Sequence, residues 1–286
     1  MCLLLASCCL RLFAAAPFLA SPTALWYSRS MDAQTSELFI VVGGGCFGSH
    51  HVRHLEKGRK RGRIAPDARI IMVDRNERPP AFNVPEVCEN PYLGFVRSDW
   101  LEYMKANWDL LPPDTKVIPA PVAPHLAFEW LVWSLNQRLG APGEPDAVLT
   151  EPMDYQFGGL PFEHLAPTGT RYISAADWIC PTNCRAPHIC PMTRDVRFWD
   201  LEDTVKDYAA SHASEVASAV VFKPQFRVPG VDVLRISQYI AERDRLLDLY
   251  RQPQAAGKSV VVGTVSPCHG AVSLLRFGMV PATIRP

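Results

Sequence analysis

The chain has 286 residues, 48% hydrophobic and 20% charged, with 29 basic and 29 acidic side chains and a formal net charge of zero. That is chain enough for one large domain or two small ones. Neutrality argues against nucleic acid as the main partner, since phosphate binding needs a positive surplus, and no internal apolar run reaches the ~18 residues that span a bilayer.

The first thirty residues stand apart. Met1 to Ala20 is apolar, broken by Arg11, with no acid before Asp32. This reads as a secretory or organellar leader that lacks a basic start, as a membrane anchor, or as a mis-assigned start with translation beginning at Met31. A start at Met31 implies a cytoplasmic protein, and a real leader an organellar or exported one. In every case residues 1–30 are set aside from the fold.

Leu38 to Val42 is an apolar run that enters Gly43-Gly44-Gly45-Cys46-Phe47-Gly48. The run reads as a buried parallel strand, apolar on both faces. The glycines match a G-x-G-x-x-G turn. Gly43 permits the tight bend, Gly45 lets backbone approach a pyrophosphate, and Gly48 lets the next helix pack on the strand. The pyrophosphate would rest on amides at the helix N-terminus. Ser49 to about Gly58 is the helix, with a basic run from Lys57 to Arg63 at its end. His50 and His54 share one helix face and read as polar surface. Ala68–Val73 is the second strand and ends at Asp74, an acid placed to bind ribose hydroxyls. Asp74 favours NAD and its neighbour Arg75 favours NADP, so the cofactor is NAD or NADP. S-adenosylmethionine is the other nucleotide this turn could take.

Further on, Phe95–Arg97 reads as a third strand with Asp99 at its end, Trp100–Trp108 as a helix and Thr115–Pro119 as a fourth strand. A proline turn over 119–124 precedes a buried helix from His125 to Leu139. Arg171–Ser174 is a strand, Phe198–Ala210 a helix, Ser218–Phe222 a strand, Val231–Tyr250 an amphipathic helix and Ser259–Thr264 the last strand. Alternating strands and helices imply an α/β fold. The expectation is a Rossmann-like, doubly wound, mostly parallel sheet with a cysteine-rich loop inserted. Residues 31–140 would form the dinucleotide-binding half, and 141–286 a second α/β half completing the same sheet.

That loop runs Cys180-Pro181-Thr182-Asn183-Cys184-Arg185-Ala186-Pro187-His188-Ile189-Cys190-Pro191. Cys180, Cys184 and Cys190, joined by Cys268 from a distant strand end, make four candidate thiolate ligands. Soft thiolates select zinc or iron–sulfur. The spacing departs from the paired C-x2-C of zinc ribbons and of bacterial cluster loops. Redox-active thiols, a disulfide or merely buried cysteines are the alternatives, and His188 and His269 are further candidate ligands. Asp154, Tyr155 and His164 could donate a proton in hydride chemistry.

The stretch Val41 to Ser49, followed by Met72-Val73-Asp74-Arg75-Asn76, resembles the nucleotide-binding domain of TrkA-type potassium-uptake regulators. The resemblance covers about residues 38–100. It implies nucleotide contacts at Gly43, Gly45, Gly48, Asp74 and Asp99, and it does not extend to the cysteine loop. Together these features predict an NAD(P)-binding oxidoreductase with a cysteine-ligated metal or iron–sulfur site, and a small-molecule or redox partner still to be identified. The alternatives are a nucleotide- or redox-sensing module without turnover and an S-adenosylmethionine-dependent transferase. A homo-oligomer is left open.

Overall fold

The computed structural model describes residues 37–119, 125–140, 146–181, 184 and 186–278. The expectations for residues 1–36 and for most of the 119–124 turn lie outside them. No helix among the described residues is long and apolar enough to cross a membrane.

The first sheet has the order β3-β2-β1-β4-β10-β9. Its strands are β1 (Leu38–Val42), β2 (Arg69–Asp74), β3 (Leu93–Arg97), β4 (Lys116–Ile118), β9 (Gln225–Val228) and β10 (Val231–Arg235). β1 pairs in parallel with β2 and β4, and β2 with β3. The chain steps outward from β1 to β2 and β3, then crosses back over β1 to lay down β4. The reversal of strand order therefore falls between β1 and β4. β10 and β9 extend this edge in antiparallel fashion.

The second sheet runs β6-β7-β12-β11-β8, with β5 also on β12. It comprises β5 (Val148–Glu151), β6 (Phe162–Leu165), β7 (Arg171–Ser174), β8 (Val216–Phe222), β11 (Ser259–Val265) and β12 (His269–Phe277). Only β11 and β8 pair in parallel; β12 is antiparallel to β11, β7 and β5.

The fold is α/β as expected, but it is not one mostly parallel sheet. The physical reason is the length of the connections. Pro229-Gly230, with Gly230 at φ 80°, joins β9 to β10, and Ser266–Cys268 joins β11 to β12. Links this short can only return the chain antiparallel, because a parallel step needs a long crossover. The second half adds β9 and β10 to the first sheet and builds a sheet of its own from its other strands.

Val231–Tyr250 departs from the single helix the sequence suggests. Residues 231–235 are β10, and the helix α6 occupies only Ile236–Tyr250. Val231 and Val233 are buried while Asp232 is exposed. That two-residue alternation runs straight into a helical pattern of apolar residues.

Helices fill three layers. α1 (Cys46–Lys60) buries Val52 and Leu55 against Phe39 and Val41 on one face of the first sheet. α2 (Pro85–Cys88) is a single turn on the same side. Ile40 and Val42 point the other way, toward α3 (Trp100–Asn107), α4 (Leu126–Leu139) and α6. Val260 and Val262 of β11 meet the same helices from the second sheet, so this middle layer is shared by both sheets. Trp108 and Trp130 stand edge-on to Tyr239 at 5.9 and 5.8 Å between ring centres, a favourable aromatic geometry. α5 (Leu201–Ser211) covers the far face of the second sheet with Leu201 and Val205.

Candidate functional site

The glycine turn is built as its sequence requires. Gly43 has φ 89°, which a side chain would oppose, and its amide donates to the Val73 carbonyl at 2.8 Å. A Cβ on Gly48 would lie 2.0 Å from the Gly43 carbonyl oxygen, so only glycine lets α1 sit this close to β1. Gly44 is also closed: a Cβ there would meet Pro79 Cβ at 2.5 Å. Pro79 belongs to the segment after β2, which hooks over the turn through the Ala81 amide donating to the Gly44 carbonyl at 2.8 Å.

Gly45 is different. A Cβ there would meet nothing within 4 Å. Gly45 caps α1 with backbone only, no side chain accepts from the first turn of the helix, and that turn holds no acid. The open space thus lies against the positive end of a helix dipole. Cys46 and Phe47 are exposed on this first turn.

Asp74 is buried, and its carboxylate accepts from the amides of Gly44 at 2.7 Å and Asn76 at 2.8 Å. Two amides leave part of its acceptor capacity unused, since a carboxylate has about four lone-pair positions. Arg75 beside it is exposed. Asp99 is the N-cap of α3, a structural role, and accepts from the amides of Leu101 at 2.9 Å and Glu102 at 3.3 Å.

The histidines of α1 are not plain surface. His51 Nδ1 lies 3.3 Å from the Gly230 carbonyl, His54 Nδ1 lies 2.5 Å from that of Pro229, and His50 stacks on His54. Burial holds the His51 imidazole down at about 4. These rings brace α1 against the β9–β10 turn. The basic run is partly structural too: Arg59 donates to the carbonyls of Pro66 and Ala68, both at 2.6 Å, and lies over the Tyr92 ring.

The carboxyl ends of β1 and β4 in the first sheet and of β11 in the second meet beside His125, which the sequence placed only as the start of a helix. It immediately precedes α4, fully buried, with Nδ1 3.2 Å from Thr264 Oγ1 of β11 and its ring stacked on Phe128. Its Nε2 has no hydrogen-bond partner among the described residues. Burial depresses its imidazole to about 3, so it is neutral. Val42, Pro119 and Thr264 line one cavity of about 10 Å³ beside it, which brings the ends of β1, β4 and β11 together.

The cysteine loop follows β7. β7 pairs with the start of β12, so His269 lies opposite Ser174, and Cys268 accepts from the Ala175 amide at 2.9 Å through its carbonyl. This register brings Cys180 and Cys268, 88 positions apart in the chain, to one edge. Trp199 Nε1 donates to the Cys268 sulfur at 3.3 Å, and Cys180 Sγ lies 3.4 Å from His269 Nε2. Burial pushes the Cys180 thiol up, and ionised Cys184, Cys268 and Cys190 push it further. Burial also raises the Cys268 thiol, opposed by the Trp199 donor. Amides of Thr193 and Met192 hold the Cys190 thiol low.

Cys180, Cys184, Cys190 and Cys268 are all free thiols. Among the described residues no three histidine, cysteine, aspartate or glutamate side chains are grouped to hold a metal ion. Ser174 and His269 complete this edge. The sequence marks His269 as a candidate ligand beside Cys268 and Ser174 only as the end of a strand.

The model of the family AF_1314_C, described as "Uncharacterized protein, C-terminal domain", matches residues 127–278, more than half of the chain. The chain belongs to this family. The matched region begins in α4 and takes in the whole second sheet and the cysteine loop, and it leaves out the glycine turn. An uncharacterized protein of Archaeoglobus fulgidus is 26% identical over 251 residues, covering 83% of this chain and 98% of that protein. No solved structure matches the chain.

Proposed function

We propose that the protein binds a dinucleotide, NAD or NADP, on the glycine turn of a Rossmann-like half and acts as an oxidoreductase, with the cysteine loop as its second redox element. The observation that carries this reading is the contrast within the turn. Gly48 and Gly44 are closed by backbone and by Pro79, while Gly45 faces open space at the uncapped start of α1. The strand order β3-β2-β1-β4 supports it, because ligands of open α/β sheets sit beyond the carboxyl ends of strands where the order reverses. Asp74 keeps acceptor sites for a ribose hydroxyl, and exposed Arg75 is placed to meet a 2′-phosphate.

Titration calorimetry with NAD, NADP and S-adenosylmethionine tests this. Dinucleotide binding with turnover of an artificial electron acceptor supports the oxidoreductase. Tight binding without turnover assigns the protein to nucleotide sensing, as the TrkA-type resemblance implies, and S-adenosylmethionine binding assigns it to methyl transfer. No binding of any of the three overturns nucleotide recognition.

A cysteine-held iron–sulfur cluster or zinc ion is the second reading of the loop. The soft sulfur donors favour it: Cys180 and Cys268 come to one sheet edge beside the His269 ring. Iron, sulfide and zinc analysis of anaerobically purified protein decides it.

A further inference from the structure

Ser174, His269 and Cys180 form a hydrogen-bonded line whose proton positions can be worked out. Ser174 Oγ lies 2.7 Å from the Ala176 carbonyl, which can only accept, so the single hydroxyl proton goes there. The same oxygen accepts from the Ala176 amide at 3.0 Å. His269 Nδ1 is 2.9 Å from Ser174 Oγ. With the hydroxyl proton committed, Nδ1 must be the donor. The neutral ring then has its lone pair on Nε2, which faces Cys180 Sγ at 3.4 Å. A nucleophile, a base in the accepting tautomer and a third group that orients the base are the three parts of general-base thiol catalysis; burial keeps the resting proton on the sulfur rather than the ring, so it moves only as the sulfur attacks.

A second thiol is close in sequence and space. Cys184 donates its amide to the carbonyl of Pro181, the residue after Cys180, at 2.9 Å. Ile179, next to Cys180 in the chain, is 93% exposed, and Phe198, edge-on to the Trp199 that donates to Cys268, is 88% exposed.

We propose that Cys180 is a thiol nucleophile activated by His269 and positioned through Ser174, and that with Cys184 it reduces a disulfide by exchange. His269 Nε2 takes the Cys180 proton as the sulfur attacks one sulfur of the disulfide. The disulfide bond breaks, a bond from Cys180 to the attacked sulfur forms, and the departing thiolate receives the proton from His269. Cys184 then attacks Cys180 of this mixed disulfide, releasing the second thiol and closing a Cys180–Cys184 bond. The protein loses two electrons and two protons, and the substrate gains them. This proposal is independent of dinucleotide binding.

The test uses full-length protein, reduced and anaerobic, with bis(2-hydroxyethyl) disulfide as a small substrate and insulin as a protein-borne one. Trypsin releases both thiols in one peptide, Tyr172–Arg185. Mass spectrometry is expected to find that peptide internally bridged in the wild type and carrying a mixed disulfide on Cys180 in Cys184→Ser. His269→Gln is expected to slow the Cys180 reaction at neutral pH about tenfold or more and to remove the imidazole inflection from its pH profile. Ser174→Ala is expected to slow it less and to shift that inflection. The exposed Cys46 gives an internal reference in every variant. Faster reaction with either disulfide supports the proposal and tells which source it serves. Cys180 reacting no faster than Cys46 in the wild type overturns it without any variant. So does an unchanged rate in His269→Gln, or a stoichiometric metal on these thiols.

Discussion

Gly44 donates its amide to the Asp74 carboxylate at 2.7 Å, a bond across 30 positions that ties the end of β1 to the end of β2. Asp74 is thus first a structural acceptor for the turn, whatever else it binds. Asp74→Ala leaves the amides of Gly44 and Asn76 without their acceptor. The expected cost is about 1–3 kcal/mol in urea unfolding, the penalty for an unsatisfied buried donor. Any affinity for NAD should fall with it.

Gly45→Ala and Gly48→Ala separate folding from binding. The added methyl at position 48 meets a carbonyl oxygen at 2.0 Å, whereas at 45 it meets nothing within 4 Å. Gly48→Ala should therefore lower stability by about 1–3 kcal/mol, as overpacking does. Gly45→Ala should leave the melting temperature nearly unchanged and weaken dinucleotide binding about tenfold or more, because its methyl occupies the space the pyrophosphate needs. Equal affinity in wild type and Gly45→Ala would remove the nucleotide from this turn.

Stability should depend on pH most strongly through two of the histidines whose rings burial depresses. His125 is held at about 3 and His51 at about 4 in the folded state, against 6.5 for the ordinary ring. A lowered folded value means the unfolded chain binds protons that the folded chain refuses. Stability is therefore full above about 6.5 and declines as pH falls toward 4, at up to about 1.4 kcal/mol per pH unit for each ring. Urea unfolding at neutral and at mildly acid pH measures this. His125→Gln should flatten part of the slope; an unchanged slope in that variant would show that His125 is not buried neutral.

Leu131 of α4 is fully buried in the middle layer that both sheets share. Leu131→Ala should cost about 2–5 kcal/mol. Because one core joins the sheets, unfolding of this variant should remain a single transition by circular dichroism and by tryptophan fluorescence. Two separated transitions would mean that the sheets fold independently.

Residues 38–100 are the most legible. Strand, glycine turn, helix and second strand appear where the local pattern put them, because each is encoded by a short apolar run and by residues with special backbone needs. Asp99 carries two readings in the sequence. An aspartate after a strand suits a ribose and also suits a helix N-cap, and only the bonds to Leu101 and Glu102 reveal that it caps. β9, β10 and β12 were hidden for another reason. Residues 231–235 are continuous with the helix pattern of α6, and β12 is recognisable as a strand only from its pairing with β11, β7 and β5.

The α/β class, the glycine turn with its dependence on Gly43 and Gly48, and the gathering of cysteines in one proline-rich loop are written in the residues themselves. These are local properties of residue type and spacing. Tertiary structure alone decided that the strands divide into two sheets around a common helical layer, that His125 joins their ends through Thr264, and that Ser174, His269 and Cys180 align. The reason is strand register: β7 and β12 are nearly a hundred residues apart, and which side chains face one another across them is set by pairing that no local pattern encodes.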